Sequence, residues 1–249
     1  MKTARLTAVG VLSAAALFSF AGTANAAGAP TPDRATSSSK GDVSFTLDNG
    51  KVVPMDPTNP QKDKPIKDNP SDPVEPGTTG PLTIDRISNI HFGQQKISAE
   101  DQTYFAQPAD IILSNGTHSS VPNYIQLTDK RGSNVGWKLQ VTQEDQFKTT
   151  DQKALQGAQV TFTNGVTNKE GTNKANAPKA QTPVVFDKFG QAKTIMTAAA
   201  GTGMGTWFEN FGDATNMSKS ISLSVPGNSA KEQKGYSTTF TWTLLDSPA

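Results

Sequence analysis

The side chains with most to offer chemically are the three tryptophans and one arginine. Trp137 and Trp242 each open a Trp-x-Leu triplet, Trp137-Lys138-Leu139 and Trp242-Thr243-Leu244, while Trp207 stands beside Phe208 and Phe211. An indole face can stack on the apolar C–H face of a sugar while polar neighbours bond its hydroxyls. Arg131, in the run Asp129-Lys130-Arg131-Gly132-Ser133-Asn134, carries a planar fork that bonds a carboxylate at two points, which suits a ligand carboxylate. Each feature also has a structural reading. Indoles on the inward side of strands usually belong to the core. Asp129 can bond its own turn, with Arg131 paired to it. Trp207 and its neighbours either pack inside or, if exposed, form a protein-contact surface. At all three places both readings stay open.

Reaction chemistry finds little material. His91 and His118 are the only histidines, and neither stands in a metal-ligand spacing such as His-x-x-x-His. Cysteine is absent, which removes disulfides, thiolate ligands and thiol nucleophiles together. There is no Gly-x-Ser-x-Gly elbow, and residues 129–134 hold too few carboxylates for a calcium cage. Glycoside cleavage needs two carboxyls that meet in space. The pairs Glu100/Asp101, Glu144/Asp145 and Glu209/Asp213 are read as solvated. A protein without catalysis, metal or cofactor is expected.

The tryptophans need strands to hold them. Ile125/Leu127 and Trp137/Leu139/Val141 alternate on either side of a polar, glycine-containing connection, so residues 124–143 read as a β-hairpin. Side chains alternate across a strand, which puts Trp137 and Leu139 on one face and Lys138 on the other. The final segment repeats the pattern: Tyr236, Thr238, Phe240, Trp242 and Leu244 share one parity and Thr243 opposes them. This terminal strand is too apolar on one face to stand alone, and its expected place is near the strand of Trp137.

These residues carry a family resemblance. Tyr-x-x-Leu-Thr-Asp-x-Arg-Gly-x-x-x-Gly-Trp-x-Leu-x-Val from Tyr124, with Thr241-Trp242-Thr243-Leu244 near the end, resembles the WxL domain of Gram-positive cell-surface proteins. Upstream, Phe45, a Pro/Asp/Asn-rich stretch, Gly80-Pro81-Leu82-Thr83-Ile84-Asp85 and Phe92-Gly93 follow the order of that family. The resemblance implies non-covalent attachment to peptidoglycan at the cell surface, in complexes with other WxL-type proteins and a membrane-anchored partner. The alternative is an adhesin or complex subunit whose contacts are neighbouring surface proteins or host matrix.

Residues 1–26 read as a secretory signal peptide: Lys2 and Arg5, an apolar run over 6–21, then Ala24-Asn25-Ala26 with cleavage between Ala26 and Ala27. Its loss shifts the formal charge from +1 to −1. A near-neutral chain lacks the basic face that nucleic acid requires and gains no bulk attraction to anionic polymers. With neither a sorting pentapeptide nor a second apolar stretch in the sequence, retention at the envelope is expected to depend on binding. Residues 27–53 form a spacer with one or two short strands over 42–53, where Val43, Phe45 and Leu47 precede an Asp48-Asn49-Gly50 turn. Residues 54–81 hold eight prolines and read as an extended linker that loops out. Residues 82–249 are the domain proper, an all-β antiparallel sandwich with long loops. Within it 143–156 is expected as a loop with a helical turn, 159–162 as a strand with Val160 and Phe162 inward, and 163–182 as a long exposed loop. The aromatics at 207–211 are expected to cover a sheet edge.

Overall fold

The structure is a computed structural model that describes residues 35–246; the expected leader and its cleavage site at Ala26 and Ala27 lie outside the described residues. Residues 35–44 carry no regular element, and the main unit begins at Phe45.

Alternating apolar positions become strands. In chain order the first are β1 (Leu82–Ile87), β2 (Gln102–Phe105), β3 (Ala109–Ile112), β4 (His118–Val121) and β5 (Tyr124–Asp129). Next come β6 (Trp137–Gln143), β7 (Gln159–Phe162), β8 (Gly165–Lys169), β9 (Lys179–Ala180) and β10 (Val184–Val185). The last are β11 (Ala192–Ala198), β12 (Gly205–Phe211), β13 (Ile221–Val225) and β14 (Phe240–Leu245). A 3-10 turn at Met217–Lys219 is the one helical element among the described residues.

The strands form three four-stranded antiparallel sheets, ordered β1-β5-β12-β8, β14-β6-β11-β9 and β10-β7-β13-β2, plus the ribbon β3-β4. An all-β antiparallel architecture is therefore observed. One core joins the inward side chains of all three sheets, among them Leu127, Trp137, Leu139, Val160, Phe162, Trp207 and Leu223. A smaller cluster around Met55, Ile66, Ile111, Tyr124 and Phe208 covers the outer side of the first sheet.

Several expectations fail for physical reasons. Residues 124–143 are not a hairpin. β5 pairs with β1 and β12, whereas β6 pairs with β14 and β11. The connection crosses between sheets because both strands carry apolar sides that need different partners, and it turns at left-handed Gly132, Asn134 and Gly136. Residues 42–53 form no strand; Phe45 is 91 % exposed and Leu47 is exposed too.

The proline-rich stretch does not loop out along its whole length. Met55 and Ile66 are buried apolar anchors. Their neighbourhood is tied down by Pro57 O accepting from Asn168 Nδ2 (2.8 Å) and Asn210 Nδ2 (3.0 Å), and by Met55 N donating to Gln126 Oε1 at 2.8 Å. A segment poor in apolar groups orders itself here because the sheet supplies amide partners for its carbonyls. Residues 163–182 likewise contain β8 and β9, which complete two sheets through backbone pairing with little help from apolar side chains. Residues 143–156 contain no helix, only a turn closed by Gln152 N donating to Thr149 O. Trp207, Phe208 and Phe211 lie on β12, an inner strand between β5 and β8, so they do not cover an edge.

Candidate functional site

The two Trp-x-Leu strands lie side by side. β14 pairs with β6 in antiparallel register, with Leu244 opposite Leu139 and Trp242 opposite Val141. Directly opposed residues share a face, so all four motif apolar residues point into the core. Trp137 and Leu139 are fully buried, and Trp242 and Leu244 pack against the same cluster while partly exposed. The Trp242 ring stacks on Phe162, with centroids 6.4 Å apart and 15° between planes. Of the two readings of these indoles, core placement is what the geometry gives.

Trp137 and Trp207 sit in different sheets and hold one loop. Trp137 Nε1 donates to Gly203 O at 3.0 Å, and Trp207 Nε1 donates to Met204 O at 3.0 Å. These successive carbonyls belong to the glycine-rich crossover from β11 to β12. Gly203 has φ +79, and a Cβ there would come within 2.6 Å of the Trp137 ring nitrogen. The crossover from β5 to β6 lies against it, with Gly201 N donating to Asn134 O at 2.8 Å. Two sheet-to-sheet crossings thus stack at one end of the sandwich, with both buried indoles satisfied inside them.

Arg131 holds the same end together. Its Nε and one terminal nitrogen bond both oxygens of Asp129 at 2.9 and 2.8 Å, and the latter nitrogen also donates to Gly136 O at 2.8 Å. Its other terminal nitrogen pairs with Asp246. Asp129 ends β5, Gly136 precedes β6 and Asp246 follows β14, so one guanidinium ties three strand ends. The paired Asp129 carboxylate raises the Arg131 pKa further above its ordinary value. A fork already filled by Asp129 has no free pair of donors for a ligand carboxylate, and the turn-structural reading accounts for its geometry. A lysine cannot reproduce the fork. Arg131→Lys should therefore cost about 1–2 kcal/mol, read as a lowered thermal midpoint; an unchanged midpoint would show the clamp to be idle.

The opposite face of this sheet is polar, exposed along β14 and half-buried along β6 and at Thr194 and Thr197 of β11. Direct pairing sets three rows across it: Thr241, Thr142 and Ala192; Thr243, Gln140 and Thr194; Leu245, Lys138, Thr197 and Lys179. Lys138 and Thr243, the middle residues of the two triplets, both look outward. Among the described residues the one side-chain hydrogen bond within these rows runs from Gln140 Nε2 to Thr194 Oγ1 at 3.4 Å. Sequence reasoning had the parity of Lys138 and Thr243 right. The neighbours came into view only once the register was known.

Beside β14 runs a groove of about 1410 Å³. Its floor includes Ile84, Phe147, Phe240 and Trp242, and its rim carries polar residues of 88–96 and 231–239. No three His, Cys, Asp or Glu side chains gather to hold a metal ion among the described residues. One acidic residue departs from expectation. Glu209, read as solvated, is wholly buried on β12, and neither carboxylate oxygen has a hydrogen-bond partner. Burial pushes its pKa up to about 9.

Comparison with known families decides what this arrangement belongs to. Residues 32–248 match the model of the WxL domain, described as surface cell wall-binding. The chain belongs to the WxL family. No curated protein and no solved structure matches it. Membership places this WxL protein at the cell surface, attached to the wall, and the family description names a binding domain where an enzyme family would name an activity. The two motif tryptophans thus lie, in this chain, on the core side of their sheet, Trp137 fully buried and Trp242 partly so.

Proposed function

We propose that this WxL domain holds the wall non-covalently through the outward face of its Trp-x-Leu sheet, with the glycan of peptidoglycan as ligand. The observation that carries the reading is the register of β6 and β14. It lines up Thr241, Thr243, Thr142, Gln140 and Lys138 on one side while burying the motif on the other. Strands stand about 4.8 Å apart and same-face residues about 6.6 Å along each strand. The face is therefore a lattice of hydroxyls, amides and ammoniums against which a flat polymer can make many weak bonds. Each is small alone, and their sum over a repeating ligand gives retention. Lys138 and Lys179 supply local positive charge for stem-peptide carboxylates, which a near-neutral chain needs at the contact itself. The leader-like residues 1–26 support delivery by secretion.

The test compares wild type with Lys138→Glu/Gln140→Ala/Thr243→Glu in sedimentation with sacculi stripped of teichoic acid. Retention of the variant should fall at least tenfold with its thermal midpoint nearly unchanged. Equal retention would move the wall contact to another face. Release of soluble muropeptides from labelled sacculi would instead revive a hydrolase. A second reading, a subunit of a surface complex, is favoured by the apolar groove beside β14, which suits a polypeptide better than a glycan.

A further inference from the structure

β14 is an edge strand, with no strand paired to its outer side among the described residues and β1 close to it over only part of its length. Glu144 N donates to Thr239 O at 3.0 Å, so in this antiparallel ladder the odd-numbered residues of β14 bond β6. The amide and carbonyl groups of Phe240, Trp242 and Leu244 then point away from the sheet, and none has a backbone partner among the described residues. Edge strands are normally blunted by lysine, proline or a bulge. Residues 236–245 contain neither a charge nor a proline, and the β14–β6 register runs without a shift. The opposite wall of the groove is different: β1 is bulged at Asp85, and Thr78 N caps it by donating to Ile84 O at 2.8 Å.

The same chain carries a segment with the pattern of a strand but no sheet to join. Asp42-Val43-Ser44-Phe45-Thr46-Leu47-Asp48 alternates as a half-buried strand should, yet Val43, Phe45 and Leu47 are all exposed. Just beyond it the chain is fastened, with Lys130 Nζ donating to Gly50 O at 2.6 Å and pairing with Asp48 at 3.0 Å. Seven residues rich in β-formers are left without a sheet. The groove beside β14 offers what they lack, an apolar floor beneath a row of open backbone groups. The groove rim also suits an acidic residue such as Asp42, since Lys96 on it has no carboxylate partner among the described residues.

We propose that residues 42–48 of a second copy of this chain add as a strand to the outer edge of β14, placing Phe45 in the groove over Trp242, and that two copies do so reciprocally. At about 3.3 Å per residue and about 10 Å of width per strand, two such contacts cover on the order of 1,000 Å² over both surfaces, the lower bound of a specific interface. The pairing is accordingly weak and concentration-dependent. It occupies the edge and groove, leaving the polar face of the sheet free, so it goes beyond the wall reading and does not rest on it.

The experiment uses the mature chain from residue 27 and its lack of cysteine. Thr46→Cys and Thr243→Cys put one thiol on the exposed side of each strand. Mild oxidation of the double variant at about 100 μM should give a covalent dimer on non-reducing gels, while neither single variant cross-links. Sedimentation velocity of the wild type should show mass doubling between about 5 and 200 μM, and Phe45→Asp should weaken dimerisation at least tenfold. A monomer throughout, or a disulfide formed within one chain, overturns the proposal. No readout involves the wall, so sacculus retention stays an independent measurement on the wild type and Phe45→Asp, which keep the polar face intact.

Discussion

Raising the pH from 5 to 8 should lower the free energy of unfolding by about 4 kcal/mol, and Glu209→Gln should remove most of that loss. The carboxyl of Glu209 lies wholly inside, unpaired, with its pKa raised by burial to about 9 from an ordinary 4.5. The folded chain therefore keeps the proton through neutrality while the unfolded chain releases it above pH 4.5. Stability from this group is complete below the unfolded pKa and is lost as pH rises toward the folded one, at about 1.4 kcal/mol per pH unit. Asp85, whose pKa is also raised by burial against hydrogen bonds from Thr128, Thr83 and Gln126, adds to the same trend. Glutamine keeps the shape without the charge. Urea unfolding of both proteins at pH 5, 6.5 and 8 gives the slopes directly. Parallel slopes would mean that water or a cation reaches Glu209.

The two motif tryptophans should prove unequal. Trp137→Ala should cost about 3–5 kcal/mol, as truncation of large buried aromatics does. It also leaves Gly203 O without its indole donor and opens a hole beneath both sheet crossings. Trp242→Ala should cost roughly half as much, since its ring is partly exposed and has no hydrogen-bond acceptor to lose among the described residues. Equal losses in chemical denaturation would contradict the burial difference. In the wild type, emission should be dominated by two indoles shielded from quenchers and one that is reachable from the groove.

What could be read before any coordinates was the parity of side chains. Trp137, Leu139, Val160 and Phe162 all face the core, and the last strand lies next to that of Trp137, because alternation and burial follow from local pattern. Partner choice was not legible in the same way. Ile125/Leu127 and Trp137/Leu139 looked like two arms of one hairpin. The crossing between sheets depends on β12 and β11, about 80 and about 55 residues downstream, as their respective neighbours. Segments held by backbone and amide groups, such as Pro57 against Asn168 and Asn210, leave no apolar signature to find. Glu209 beside Asp213 reads as a solvated acidic pair, and only the placement of β12 inside its sheet shows otherwise. The outward face was half legible, since Lys138 and Thr243 were on the correct side but their rows required the register.

The pairing of β6 with β14 joins residues about a hundred positions apart, and β14 is the last strand among the described residues. Such distant pairing closes late and slowly, because a large loop must be ordered before any contact rewards it. A chain made N-terminus first therefore leaves Val141 and Leu139 uncovered on one flank until β14 has been made. The two Trp-x-Leu strands therefore close on each other only after the intervening sheets have been laid down.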